Sequence, residues 1–242
     1  MHLRDAWHTL APTAEDRHGP LPPLLIALTV VTGLVDSFSY LVLGHVFVAN
    51  MTGNVVFMAF ALAGAAGFSL WASLVALLSF VGGALVGGRL GHRFAEHRGR
   101  VLLATTAVEA AVVLAAYVCC LSSSTPSTGG IRYLLIVLLG LGMGAQNASA
   151  RRMGVPDLTT TVLTMTIAGI AADGRLAGGT NSKVGRRLLS AAAIFLGALV
   201  GALLALHTAK ALPLLVAGAV LLVMSLALIR HARSDRPWTR PV

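Results

Sequence analysis

The hydrophobic residues of this 242-residue chain lie in long runs that short polar stretches separate. A helix that crosses the hydrocarbon core of a bilayer needs about 20 apolar residues, because each residue adds about 1.5 Å of rise. Six runs meet this requirement: 24–44, 70–90, 101–120, 131–150, 188–206 and 212–229. We therefore predict an all-α, polytopic helical membrane protein with about six transmembrane helices.

Two further apolar stretches, 46–66 and 158–172, carry polar residues that interrupt them. The first contains Asn50, Thr52, Gly53 and Asn54, and the second contains Thr159, Thr160, Thr161, Thr164 and Thr166. Buried amides and hydroxyls are costly in hydrocarbon unless protein, water or a solute pairs with them. A single threonine usually bonds back to a carbonyl of its own helix, whereas five beside a break at Pro156 favour a lined cavity. We predict that both stretches are interrupted or re-entrant.

The positions of the basic residues favour six crossings. If neither interrupted stretch crosses, sixteen of the eighteen Lys and Arg residues face the cytoplasm, and Arg132 and Lys210 lie outside. This asymmetry is what the positive-inside rule predicts. Eight crossings would put the basic loops 89–100 and 175–187 on opposite sides. Seven crossings, with 46–66 spanning and the amino terminus outside, would move only Arg4 and Arg17, and remain the alternative.

The regions outside these runs predict two tails around one membrane domain. Residues 1–23 mix acidic and basic residues and end in GPLPP, unlike a cleavable signal peptide. We predict a cytoplasmic tail at 1–23, a membrane domain at 24–229 and a basic cytoplasmic tail at 230–242. The location that follows is the bacterial plasma (inner) membrane, with lipids as the surroundings.

The membrane domain is predicted to contain two related halves, at about 24–120 and 131–229. Asp36 precedes Gly44 by the same interval as Gln146 precedes Gly154, and GALVG occurs at 83–87 and again at 197–201. Three crossings in each half would make the halves antiparallel. In such inverted repeats, discontinuous segments meet near the bilayer midplane and form a solute site.

Composition and motifs exclude several other classes of protein. Hydrophobic types make up 56% of the residues and charged types 11%, so the formal charge of +9 is better explained by cytoplasmic loops than by nucleic acid. The adjacent Cys119 and Cys120 do not form a disulfide framework. No nucleophile pairs with a base, and no cluster of metal ligands or phosphate-binding loop occurs in the sequence. We expect no enzyme activity, no cofactor and no bound metal.

Four segments together resemble one family of proteins. They are GLVD at 33–36, FVANMTGN at 47–54, GAQNA at 144–148 and TTVLT at 160–164. In this order they resemble the YoaK-like family of uncharacterised bacterial multi-pass membrane proteins, over about 24–228. The resemblance implies a membrane location and the importance of these motifs, but no substrate.

Intramembrane acids are the next candidates for function, because a carboxyl group in a transmembrane segment is costly. Asp36 lies in the first run together with Tyr40, and Glu109 lies in the third, as a secondary candidate. Each could bond across helices as a neutral acid. Alternatively, an acid that exchanges a proton as access alternates could couple transport to a proton gradient. Gln146 takes the place of Asp36 in the second half, with Asn147 beside it, and could face Asp36 or cap a helix end.

The sequence thus predicts a transporter of an unidentified small solute, which could be coupled to protons. The candidate residues are Asp36, Tyr40, Asn50, Thr52, Gly53, Asn54, Gln146, Asn147, Thr160, Thr161 and Thr164. A non-transporting module that binds a partner protein or lipid, or a passive channel, is the alternative. Small-xxx-small pairs such as Gly83 with Gly87 allow close helix packing, within the chain or in a homo-oligomer.

Overall fold

The long apolar runs form helices in a computed structural model that describes residues 7, 9–12, 16–123, 125–156, 158, 163–172, 178, 184–234 and 236–240. In these ranges the helices with defined bounds are α1 Leu21–Val42, α2 Met51–Leu62, α3 Leu70–Arg93, α4 Arg98–Leu121, α5 Gly129–Arg152, α6 Leu163–Ala172, α7 Val184–His207 and α8 Leu212–Ala232. A 3-10 turn follows at Pro237–Thr239. The described part contains no strand, which confirms the all-helical prediction.

Six of these helices are long and apolar enough to cross a bilayer: α1, α3, α4, α5, α7 and α8. The other two, α2 and α6, have 12 and 10 residues. Their lengths of about 18 Å and 15 Å are well below the hydrocarbon thickness of about 30 Å. The stretch at 46–66 is therefore an irregular segment followed by a short helix, not a seventh crossing helix.

Two arginines tie helix ends together and define the two ends of the bundle. Arg132, near the start of α5, donates from Nε to the Leu43 carbonyl at 2.6 Å and from Nη2 to the Gly44 carbonyl at 3.1 Å, beside the end of α1. Arg98, at the start of α4, donates to the Met153 carbonyl just after α5. The end of α1 and the start of α4 therefore lie at opposite ends of α5.

The described amino-terminal and carboxyl-terminal segments meet at the Arg98 end of the bundle. Gly19 packs against the side chain of Trp238, and Arg98 Nη1 donates to the Trp238 carbonyl at 3.4 Å. Both segments thus lie at the same end of the helix bundle. Six crossings place the two termini on the same side of the membrane, whereas seven would place them on opposite sides. That this side is cytoplasmic remains a prediction from the charge distribution.

Glycines allow the closest helix crossings, in two matching places. Gly83 on α3 and Gly144 on α5 lie against backbone of the opposite helix, at Leu141 and Phe80 respectively. Gly33 on α1 and Gly197 on α7 do the same, at Ile194 and Val30. A β-carbon at any of the four would collide with backbone atoms. These small-residue faces are therefore covered within the chain.

We expect Gly83→Ala to lower the free energy of unfolding by about 1–3 kcal/mol, because the added methyl group meets the Leu141 carbonyl. Gly88→Ala is the matched control on the same helix, since no atom lies within 4 Å of a β-carbon there. Denaturant unfolding in detergent measures both. Equal stability of the two variants would contradict the close crossing.

We also predict that Ala65→Cys and Glu96→Cys react from opposite sides of the membrane. Ala65 is exposed between α2 and α3, and Glu96 is exposed between α3 and α4. In a background without Cys119 and Cys120, an impermeant maleimide applied to intact cells should label only Ala65→Cys. Labelling of Glu96→Cys alone would reverse the predicted orientation, and labelling of both would contradict the crossing of α3.

Candidate functional site

A cavity of about 430 Å³ opens beside the crossing of α1 and α7. Its described lining consists of Thr32, Gly33, Asp36, Ser37, Tyr40 and Leu41 of α1, Phe47 and Asn50 of the segment before α2, Thr164 of α6, and Ile194, Ala198 and Ala202 of α7. The α1 residues recur every four positions, so they share one face of that helix. The irregular segment before α2 and the short helix α6 both reach this cavity.

Asp36 holds the irregular segment in place. Its Oδ1 accepts hydrogen bonds from the main-chain N–H groups of Val48, at 3.0 Å, and Ala49, at 2.9 Å. Both N–H groups precede α2, where no helical carbonyl is available to them. The buried carboxyl thus satisfies two donors that would otherwise be unpaired in a low-dielectric site.

Asn54 closes the same segment from the other side. Its Oδ1 accepts from the Phe47 N–H at 3.0 Å, and its Nδ2 donates to the Phe47 carbonyl at 2.6 Å. Gly53 allows the Phe47 ring to approach, because a β-carbon there would lie 2.8 Å from the ring. The side chain of Asn54 is fully buried, and its amide oxygen and nitrogen both bond to the main chain of Phe47. Its role in this structure is to shape the segment.

Stacked aromatic rings form one wall of the cavity. The ring centroids of Tyr40 and Phe47 are 5.0 Å apart, and those of Phe47 and Phe57 are 5.6 Å apart, in stacked arrangements. His45 meets Tyr40 edge to face at 5.1 Å. Its Nδ1 also lies 3.0 Å from the Gly67 carbonyl. These contacts therefore connect the segment before α2 to α1, to α2 and to the loop before α3.

The predicted site residues differ in where the structure places them. Asp36, Tyr40, Asn50 and Thr164 line the cavity. Thr52 is exposed on α2, while Gly53 and Asn54 support the segment as described. Gly53 lies in the first turn of α2. Thr160 and Thr161 lie outside the described residues.

One interpretation of the sequence placed Gln146 opposite Asp36 across the cavity. In the structure Gln146 is not among the described lining residues. Its amide lies between Thr32 on α1 and Glu109 on α4, and all three side chains are buried. Asn147 is half-buried on α5 and is not part of the described lining. Glu109, the secondary candidate, therefore has a polar neighbour from another helix.

Sequence reasoning missed Thr32, Ser37 and Phe47 and the α7 wall of the cavity. A helical pattern could have found Thr32, because it precedes Asp36 by four residues, as Asp36 precedes Tyr40. Ala198 and Ala202 carry no chemical signal of their own. They line the cavity because the glycine crossing brings α7 against α1.

The fold and this cavity define a multi-pass α-helical membrane protein with a largely apolar cavity among its helices, into whose lining Asp36 brings a carboxyl group. The chain matches, over residues 24–227, the family described as "Protein of unknown function (DUF1275)", and it belongs to that family. It is 34% identical over 159 residues to the UPF0700 transmembrane protein YoaK of Bacillus subtilis (strain 168), an alignment that covers 63% of this chain and 68% of the relative. No solved structure matches the chain significantly. The resemblance to YoaK-like proteins is thereby confirmed.

We predict that Asp36→Ala destabilises the protein more than Asp36→Asn does. The alanine variant leaves the Val48 and Ala49 N–H groups unpaired, at about 1–3 kcal/mol for each. The asparagine variant keeps an Oδ1 acceptor. Denaturant unfolding in detergent would compare the two. Equal losses would mean that the carboxyl does not hold this segment through its hydrogen bonds.

Proposed function

We propose that this protein carries a small solute across the membrane by alternating access through the cavity at Asp36. The observation that carries the proposal is that both interrupted segments contribute to one cavity. Asn50 comes from the break before α2, and Thr164 comes from the short helix α6. Non-helical backbone at membrane depth is tolerated where it is buried in protein or lines a cavity. Transporters build solute sites from such discontinuous segments.

The packing of the GALVG segments supports two related halves. Each segment lies against a transmembrane helix of the other half with the same four-residue spacing. The contacts are Gly83 with Leu141, Gly87 with Ala145, Gly197 with Val30 and Gly201 with Leu34. This spacing pairs Asp36 with Asn147, one residue beyond the Gln146 that the sequence pattern favoured. Halves related in this way could rock against each other around the cavity.

The lining favours a neutral or positively charged solute with hydrogen-bond donors. Asp36 is the only acidic or basic residue among the described lining residues, and the hydroxyls of Thr32, Ser37 and Thr164 accompany it. A carboxylate repels an anion strongly where the dielectric is low. The faces of Tyr40 and Phe47 suit a cation or an apolar part of the solute. Small amines and polyols fit these features better than carboxylates do.

The test is uptake into proteoliposomes from a panel of isotopically labelled small amines, polyols, sugars and carboxylates. We expect saturable uptake of an amine or a polyol. Asp36→Asn should reduce it about tenfold or more, because it removes the charge from hydrogen bonds to the solute. Leu206→Ala, a change at an exposed position on α7, is the control and should leave uptake unchanged.

Three outcomes would contradict the proposal. Equal flux in liposomes with and without protein, for every solute and with a proton gradient imposed, would argue against transport. Conductance that does not saturate would favour a channel. If Asn50→Ala disturbed the co-purification of a partner while flux stayed at the liposome background, a binding module would be the better assignment.

A further inference from the structure

Glu109 is a fully buried carboxyl that the proposed solute site does not use. It lies in the middle of α4, and a β-carbon at Gly142 of α5 would lie 3.6 Å from its Cγ. The described ionisable residues of α3, α5 and α8, which pack against α4, lie near the helix ends: Arg89, His92, Arg93, Arg132, Tyr133, Arg151, Arg152, Arg230 and His231. Among described residues no cation pairs with Glu109. A carboxyl so placed favours its neutral, protonated form.

Gln146 connects this carboxyl to the cavity. Its amide reaches Glu109 on one side and Thr32 on the other, at 2.8 Å from the Thr32 hydroxyl. Thr32 itself lines the cavity, one helical turn before Asp36. Three buried side chains on three different helices, α4, α5 and α1, thus form a continuous hydrogen-bonded chain.

The direction of this chain depends on one proton. When Glu109 is neutral, its O–H donates to Gln146 Oε1, Nε2 donates to Thr32 Oγ1, and the Thr32 hydroxyl donates to the Leu28 carbonyl at 3.0 Å. When Glu109 has released its proton, the amide must rotate. Its Nε2 then donates to the carboxylate, and its Oε1 accepts from the Thr32 hydroxyl at 2.8 Å. Each state satisfies the amide, in opposite orientations.

We propose that Glu109 is a proton-binding site whose occupancy is transmitted to the solute cavity through the Gln146 amide and the Thr32 hydroxyl. Proton release turns the Thr32 hydrogen from Leu28 toward Gln146. Thr32 Oγ1 then no longer accepts from the amide, so the hydrogen bonds of a residue in the cavity wall change with the proton. We therefore expect solute binding to depend on whether Glu109 holds the proton. This consequence for transport rests on the proposed function, whereas the proton site does not.

The proton site is tested by infrared spectroscopy of the purified protein in lipid, without any solute. A neutral carboxylic acid shows a carbonyl stretching band that a carboxylate lacks. We expect such a band at neutral pH, lost in Glu109→Gln and kept in Asp36→Asn. Gln146→Leu, which removes the partner of the acid, should move the band in frequency.

A pair of matched threonine variants tests the connection to the cavity. Thr32 and Thr29 are buried on α1, and each donates to the carbonyl four residues earlier, but only Thr32 bonds to Gln146. Thr32→Val should therefore shift the Glu109 band, and Thr29→Val should leave it in place. These two variants also keep the test decisive if Glu109→Gln fails to fold.

The inference is overturned if the wild-type protein shows no neutral-acid band, or if the band survives in folded Glu109→Gln. It is also overturned if Gln146→Leu and Thr32→Val leave the band unmoved, or if Thr29→Val moves it as far as Thr32→Val does. A band that behaves as expected in a protein without flux supports the proton site and counts against transport. Solute flux in a protein that lacks the band would support transport and overturn the proton site.

Discussion

The bonds from the Val48 and Ala49 N–H groups to Asp36 are the interaction on which the cavity depends. A chain that interrupts its helices inside a membrane exposes main-chain donors for which hydrocarbon has no partner. Asp36 provides that partner from the adjacent helix α1, and Asn54 satisfies both main-chain groups of Phe47. With the donors paired, the break before α2 can persist. In this arrangement Phe47 and Asn50 of the segment, together with Tyr40 of α1, line the cavity.

The cavity also depends on the close packing of the helices, which small residues allow. Gly33 and Gly197 let the backbones of α1 and α7 touch, and Gly83 and Gly144 do the same for α3 and α5. Between apolar helices in lipid, van der Waals contact of this kind drives association, since lipid tails are as apolar as leucine. The cavity lies beside the first crossing, so its α7 wall is positioned by glycine packing rather than by polar contacts.

The sequence predicts the helices well because the crossing of a membrane imposes a length and a composition on each run. It also predicts that Asp36, Asn50 and Thr164 matter, since buried polar groups need partners. It does not reveal that Asp36 and Asn54 bond to main-chain groups, because backbone donors are the same at every position except proline. Nor does it reveal the neighbour of Glu109. That contact depends on the rotation of α5, and a shift of one residue would turn Gln146 by about 100° around the helix.

The two buried acids differ in what holds them, and this difference separates their roles. Asp36 is bonded to main-chain N–H groups that stay donors in every state, so a change in its protonation would weaken the segment it holds. Glu109 faces an amide that can donate or accept by rotating, so either of its states finds a partner. A group whose partner adapts can gain and lose a proton without disturbing the fold. For this reason Glu109, rather than the acid that lines the cavity, is the better candidate for a reversible proton site.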